Sequence, residues 1–422
     1  MKNIIYLVLL LLATSCAKSQ QEQVQPTPEP QPVTKTEIES ARAIEITPKT
    51  RSILGQYNSF AIDFLKAVSQ HHNKNLFFSP FSISAALGLL YNGAAGATKE
   101  EIIQVLGMDN YTQEEINEYY RELTKALLEV DPHSSLSLAN AIWSNSNRGA
   151  ILKNTFVTLN QNYYDAEVSA LDFAHSPALQ TINNWCYEKT KGTIPTILDN
   201  IDPSTLIILA NAIYFKSFWT TDFEKSKTAH EPFYNLDGTK SIVPMMHQKQ
   251  MFLDYAQMDR CSMVTLPYAN TAFTMNLILP NKGVNMDELI GELDGSSWQS
   301  MMAHRKNIKV TLSMPRFKVE NRFDNIKEVL ASMGLSLPFS SNADFSALSD
   351  VPAFFSQVIH KSYISVDEDG TESAAITLIP EYLLDPVPNP LEVTLLLDRP
   401  FIFAITEKST GVILFMGKIT KL

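Results

Sequence analysis

The chain predicts an α+β fold, with helices and strands mixed in one large domain and no repeating strand-helix-strand unit. Three observations carry that prediction. Segments with helical spacing of apolar residues alternate irregularly with segments of period two, which does not indicate a doubly wound parallel sheet. The run at 206–218 (LIILANAIYFKSF) is apolar almost throughout and too extended for anything but the centre of a sheet. A content of 45% hydrophobic and 19% charged residues is a globular balance, and no low-complexity break follows residue 50, so one domain is expected over 44–422.

In order, residues 1–15 carry Lys2, an apolar run at 4–12 too short to span a bilayer, and the small residues Ala13, Thr14 and Ser15, which read as a secretion signal. Cys16 then resembles the lipidated cysteine of a bacterial lipobox, with Ala13 in place of the usual leucine; plain cleavage after Ser15 is the alternative. Lys18 is not the aspartate that retains lipoproteins at the inner membrane, so an exported, outer-membrane lipoprotein is expected, on the periplasmic or the cell-surface face. Residues 16–43 are rich in Gln, Glu and Thr, with Pro26, Pro28, Pro30 and Pro32 alternating. Such a segment cannot form a core and reads as an extended tether of roughly 3 Å per residue.

Apolar residues at Ile53, Leu54, Tyr57, Phe60, Ala61, Phe64, Leu65 and Val68 predict an amphipathic helix over 52–69. A strand at 75–78, a turn at Ser79 and Pro80, and a helix at 83–91 that is apolar all round and hence buried come next. Gly93, Gly96 and Lys99 lack the spacing of a phosphate loop and read as a turn before a helix at 99–106. A strand is expected at 135–144, a helix from about 153 to 164, and another at 181–191 stopped by Gly192. After the central strand, alternating segments are expected at 251–253, 262–267, 273–279, 308–314, 392–397, 401–405 and 412–417.

The formal charge of −11 argues against nucleic acid as a partner. Cys16, Cys186 and Cys261 are too few and scattered for a disulfide framework or a zinc site, so no metal and no cofactor are expected. No G-x-S-x-G, H-E-x-x-H, G-x-G-x-x-G or C-x-x-C occurs, so no enzyme activity is indicated. His71 and His72 read as a polar turn, and His133, His175, His230 and His247 as exposed loop residues.

On composition alone the stretch 366–384 (VDEDGTESAAITLIPEYLL) reads as a polar loop leading into a strand, and its order of residues, a hinge followed by small side chains, also looks like a bait. After the acidic run Asp367, Glu368, Asp369 comes Gly370, then Thr371, Glu372, Ser373, Ala374, Ala375, Ile376 and Thr377. As a strand, period two would put Thr371, Ser373, Ala375 and Thr377 on one face, all compact enough to slide beneath a covering layer.

Six ordered stretches resemble the serpin family of protease inhibitors: 75–102 (NLFFSPFSISAALGLLYNGAAGATKEEI), 138–143 (LANAIW), 209–219 (LANAIYFKSFW), 314–319 (MPRFKV), 360–377 and 399–419. The resemblance implies the serpin fold, with a large, mostly antiparallel central sheet, smaller sheets, surrounding helices, and an exposed reactive loop over about 368–390. It implies that the helix ending at 164 crosses the main sheet. It implies a hydrogen-bonded cluster of Ser79, Ser82, Asn211 and His360 where that sheet parts, and an ion pair of Arg316 with Glu368 near the indole of Trp219. It implies inhibition as a suicide substrate: a serine protease, or a cysteine protease, attacks the loop and the freed hinge enters the sheet as a new strand. Counting sixteen residues from Glu368 puts the reactive bond at Leu384–Asp385; Pro386 stiffens the chain beyond it, so Tyr382 and Leu383 are alternatives. Counting back from Pro400 lands near Asn389, before Pro390. The expected partner is an apolar-specific protease, chymotrypsin-like, elastase-like or subtilisin-like, met by a monomer whose lipid anchor alone touches a membrane. The alternative is a non-inhibitory carrier or chaperone of the same family, since Pro380 and Glu381 resist burial and would stop insertion near Ile379.

Overall fold

The computed structural model describes residues 38–149, 151–323, 326–355, 360–371 and 391–422. Residues 1–37 with Cys16, hinge positions 372–377 and reactive-bond candidates 382–385 lie outside them. From the N-terminal side come α1 (Pro48–His71), β1 (Leu76–Phe78), α2 (Pro80–Gly93), α3 (Gly96–Val105), α4 (Gln113–Glu129), β2 (Ser135–Asn145), α5 (Asn154–Tyr164), β3 (Glu167–Leu171), α6 (Ser176–Lys189) and β4 (Ile207–Phe218). There follow β5 (Ala229–Tyr234), β6 (Lys240–Gln257), β7 (Cys261–Pro267), β8 (Phe273–Pro280), α7 (Met286–Glu292), α8 (Gly295–Ala303), β9 (Lys306–Pro315), β10 (Phe317–Phe323) and α9 (Ile326–Ser332). The chain closes with β11 (His360–Val366), β12 (Gly370–Thr371), β13 (Glu392–Leu396), β14 (Phe401–Glu407) and β15 (Ile413–Ile419).

Local chemistry explains the helix starts. Thr47 accepts from the Thr50 amide at 3.0 Å and Pro48 opens α1, a side-chain cap followed by a residue with no amide to leave unpaired. Ser79 and Pro80 repeat the device at α2, where Ser79 Oγ accepts from the Ser82 amide at 3.1 Å. α2 is buried along almost its whole length, as an all-apolar helix must be.

The described strands form two sheets, both mostly antiparallel. One has the order β10-β11-β12-β4-β2-β3, with β4 inside it as its apolar run requires; only β2 and β3 run parallel there. The other has the order β1-β15-β14-β8-β7-β6-β9-β13, with β5 also on β6. It is the larger in strand number because the long β6 serves two groups of partners. Its ladder with β9 shifts register between Gln248 and Met251, where Gln250 takes φ 54.

The main core lies around α1, α2 and the strands of the nine-stranded sheet, with Tyr57, Phe64, Phe78, Phe81 and Phe273 almost fully buried. A second, smaller core holds Ile182, Trp185 and Cys186 of α6 against Ala141, Trp143, Ala210 and Ala212 of β2 and β4. Thus α6, rather than α5, lies on the six-stranded sheet, which corrects the expectation for the helix ending at 164. The physical reason is in the side chains: α6 presents Ala178, Ile182, Trp185 and Cys186 to small alanines on the strands, whereas α5 buries Phe156, Asn160 and Tyr164 toward α2 and α4. Cys186 and Cys261 are free and buried, and burial pushes their thiols up to about 12 and about 11.

Candidate functional site: a hinge at the top of a sheet seam

β11 and β4 are held apart at one end by β12, a strand of two residues. Thr371 pairs with Val366 of β11 and Ser217 of β4, and Gly370 pairs with Phe218. The first two residues of the expected hinge are therefore already inside the sheet, not in an exposed loop. The turn that returns the chain is built by Asp367, whose Oδ1 accepts from the amides of Asp369 at 3.0 Å and Gly370 at 3.2 Å. Gly370 sits at φ 148, a conformation that side chains disfavour. Thr371 is 2% exposed, and its hydroxyl lies 2.6 Å from that of Tyr268.

The turn is clamped from β4. The Trp219 indole donates to Asp367 O at 2.9 Å, the Trp219 amide to Asp369 O at 3.0 Å and the Phe223 amide to Glu368 O at 3.0 Å. Trp219 stacks on Tyr268 with ring centroids 4.4 Å apart. The Glu368 carboxylate is 1% exposed, pairs with Arg316 Nη2 at 2.5 Å and accepts from Thr228 Oγ1. Burial raises its pKa, but the bonds from Arg316 and Thr228 outweigh burial and hold it below the usual value. Lys225 pairs with Asp369 at 2.7 Å. Asp222 completes this acidic corner, its pKa pushed up to about 7 by burial and then by Asp369. Trp219, Arg316 and Glu368 are thus brought together around the base of the hinge.

Beyond Thr371, the space between β4 and β11 is a narrow crevice lined by Ile213, Tyr214 and Phe215 on one side and Ser362, Tyr363 and Ile364 on the other. Thr190 and Ile194, which follow α6, line it as well. A second crevice lies nearer the other end, among Leu209, Asn211, Ser82, Leu330, Phe355 and His360.

The polar cluster at that end is continuous. His360 Nε2 accepts from the Ser79 amide at 3.1 Å, Ser79 Oγ accepts from the Ser82 amide, and Ser82 Oγ donates to Asn211 Oδ1. Asn211 Nδ2 continues to Asn140 Oδ1 at 2.7 Å, and Asn140 Nδ2 to Tyr164 O at 2.8 Å. Burial lowers the His360 pKa to about 4, so the ring is neutral and its Nε2 is free to accept. Every link is satisfied, as a buried polar chain in a sheet requires.

Sequence reasoning missed Tyr268, Thr228, Lys225, Asp222 and Asn140, which reach the hinge or the cluster only through long-range contacts. For Asn140 a signal existed: LANAI occurs in both β2 and β4, and the strands pair Asn140 with Asn211 in register. The histidine reading also needs correction. His230 and His247 lie on β5 and β6, not in loops, and His247 is half-buried, because alternation is masked where strand residues are polar. Among the described residues no group of three His, Cys, Asp or Glu is placed to hold a metal.

The serpin family model, described as serine protease inhibitor, matches residues 55–422. The chain is similar to Iripin-2 of Ixodes ricinus, with 34% identity over 86% of this chain and 92% of that protein, and to the leukocyte elastase inhibitor of Bos taurus, with 34% identity over 86% and 97%. Among solved structures it resembles the thermophilic serpin tengpin in its native state, at TM-score 0.80 and 30% identity over 91% of this chain and all of that one. It also resembles human thyroxine-binding globulin, at TM-score 0.78 and 29% identity over 88% and 99%. With its fold, its sheet seam and these likenesses, the chain belongs to the serpin family.

Proposed function

We propose that this protein is a suicide-substrate inhibitor that traps an apolar-specific serine protease, or a cysteine protease, as its acyl-enzyme while the cleaved loop enters the seam between β4 and β11. The observation that carries the reading is the hinge, whose Gly370 and Thr371 already occupy that seam above a crevice between the same two strands. The residues that would follow at the inward positions, Ser373, Ala375 and Thr377, are small. A new strand of about ten residues adds about ten ladder bonds at about 0.5–1.5 kcal/mol each, on the order of 10 kcal/mol. That matches the whole stability of an ordinary domain, enough work to distort a tethered protease, and it requires the uncleaved form to be kinetically trapped.

In this reading Arg316, Glu368 and Trp219 gate first entry, and Ser79, Ser82, Asn211 and His360 form a latch with a second satisfied arrangement when the strand passes. Leu384–Asp385 is the reactive bond, with Leu383 or Tyr382 as alternatives; the similarity to an elastase inhibitor supports an apolar pocket on the target. In the same reading the leader and Cys16 would carry the inhibitor outside the inner membrane, on a lipid anchor and a Pro-rich tether. The second reading, a non-inhibitory carrier, is favoured by Pro380 and Glu381 and by the likeness to thyroxine-binding globulin. Mixing the purified protein with chymotrypsin, elastase, subtilisin, trypsin and a papain-like protease separates the two. Inhibition gives a denaturant-stable covalent band with an apolar-specific protease but not with trypsin, and a released C-terminal peptide starting at Asp385, Leu384 or Leu383. Cleavage without any such band means a substrate or carrier.

A further inference from the structure

Away from the hinge, three strands bring together a hydroxyl, an imidazole and a carboxylate. Ser313 of β9 and His247 of β6 are direct partners across the antiparallel ladder, and Ser313 Oγ lies 2.8 Å from His247 Nδ1. The other ring nitrogen, His247 Nε2, lies 3.0 Å from Glu231 Oε1 on β5. An ionised carboxylate only accepts, so Glu231 at ion-pair distance favours the neutral ring with its proton on Nε2, and Nδ1 is left to accept the Ser313 hydroxyl. Those are the roles of nucleophile, base and orienting acid, and such constellations are recognised by geometry rather than by order in the chain.

Two further features belong to the same place. The β6 bulge begins one residue beyond His247, and Gln250 in it holds the positive φ of 54, a strained conformation for a residue with a side chain. On the opposite side of Ser313 its parallel partner is Leu396 of β13, 37% exposed, on the face that Ser313 shares. The group is open to solvent through its edges: the side chains of His247 and Glu231 are 23% and 35% exposed, and Ser313 is 8% exposed.

We propose that Ser313 is an activated nucleophile that takes the acyl group of small activated esters, independently of the reactive loop. Ser313 Oγ attacks the ester carbonyl, its proton passes to His247 Nδ1, and the imidazolium is held by Glu231. The bond to the leaving aryl oxide breaks as the oxide takes that proton, leaving an ester on Ser313 that water hydrolyses in the reverse order. Leu396 offers the acyl chain an apolar neighbour. The substrate class is aryl esters and phosphonylating electrophiles with short apolar chains, whose weakly basic leaving groups need no donor beyond the His247 imidazolium.

The test uses the full chain, a fluorophosphonate probe and p-nitrophenyl butyrate. Peptide mapping should find the probe on Ser313, with both labelling and ester hydrolysis lost in Ser313→Ala. A positioned base contributes about 10²–10⁴-fold, so His247→Ala should slow labelling by at least about 100-fold, and added imidazole should restore part of the rate. Glu231→Gln should slow it less. Melting of each variant against wild type separates these losses from misfolding, and Ser313→Cys, tested with iodoacetamide, preserves a nucleophile of similar size. A wild type that is not labelled, a label on another residue, or a His247→Ala protein that reacts at the wild-type rate would overturn the proposal.

Discussion

Thr371→Arg tests the hinge through a group that the fold already buries. Thr371 is 2% exposed, its hydroxyl meets Tyr268 at 2.6 Å, and its backbone lies between Val366 and Ser217. Arginine forfeits the hydroxyl contact in the intact protein, about 0.5–1.5 kcal/mol, and draws β12 out of the sheet, so that entry after cleavage must bury an unpaired guanidinium at about 3–5 kcal/mol. The burial cost alone stands against entry, and at tenfold per 1.36 kcal/mol it slows insertion by about 10²–10⁴. On the proposed mechanism trapping is a race between insertion and deacylation, so this delay lets the protease escape with a cleaved loop. Binding and cleavage should survive while the covalent band disappears and the moles of protein consumed per protease rise by at least an order of magnitude. Thr371→Glu should fail too, being unpaired beside Asp367 and Asp369, and Thr371→Ser should behave as wild type. A Thr371→Arg protein that forms covalent complex at the original stoichiometry refutes the hinge assignment.

Two further outcomes follow from the geometry of the fold and one from the sequence. The His360 pKa is about 4 in the fold against 6.5 unfolded, so the unfolded chain binds the extra proton between those values; stability is full above about 6.5 and falls by about 3 kcal/mol as pH drops toward 4, and His360→Gln should flatten that part of a melting-against-pH curve. Asp222 has the opposite sign, raised from 3.8 to about 7, so its contribution is fully present below 3.8 and lost as pH rises through 7; the gap in melting temperature between Asp222→Asn and wild type should widen from about pH 4 and level off above 7. Cys16→Ala should move the protein from the detergent phase to the aqueous phase, and a wild type already wholly aqueous would support plain cleavage after Ser15.

Period and capping chemistry explain what could be read from the sequence. The apolar spacing of α1, the uniform apolarity of α2 and the extended run of β4 leave few alternatives, and all three take the positions expected of them. The helix α4 carries equally clear signals: Thr112 and Glu115 form a reciprocal cap, and Ile116, Tyr119, Tyr120, Leu123 and Leu127 bury at helical spacing. Other features were not legible. That α6 rather than α5 covers the sheet depends on which apolar face meets the alanines of β2 and β4, a matching of two surfaces that neither segment announces alone. The contact of Tyr268 with Thr371 spans 103 residues, and the approach of Ser313, His247 and Glu231 depends on register across three strands. The ordered motifs reached Ser79, Ser82, Asn211 and His360 only through resemblance, since nothing in their spacing joins β1, α2, β4 and β11.

Strand insertion itself is tested most directly by cutting the loop and melting the product. The protein is nicked within 378–390, the fragments are kept together, and thermal unfolding is followed for intact and nicked forms with hydrogen exchange on β4 and β11. If the freed hinge completes the sheet, about ten added ladder bonds should raise the melting temperature well above that of the intact form and increase protection along both strands. A nicked protein that melts at the same temperature, with β4 and β11 no better protected, would contradict insertion and leave the carrier reading in its place.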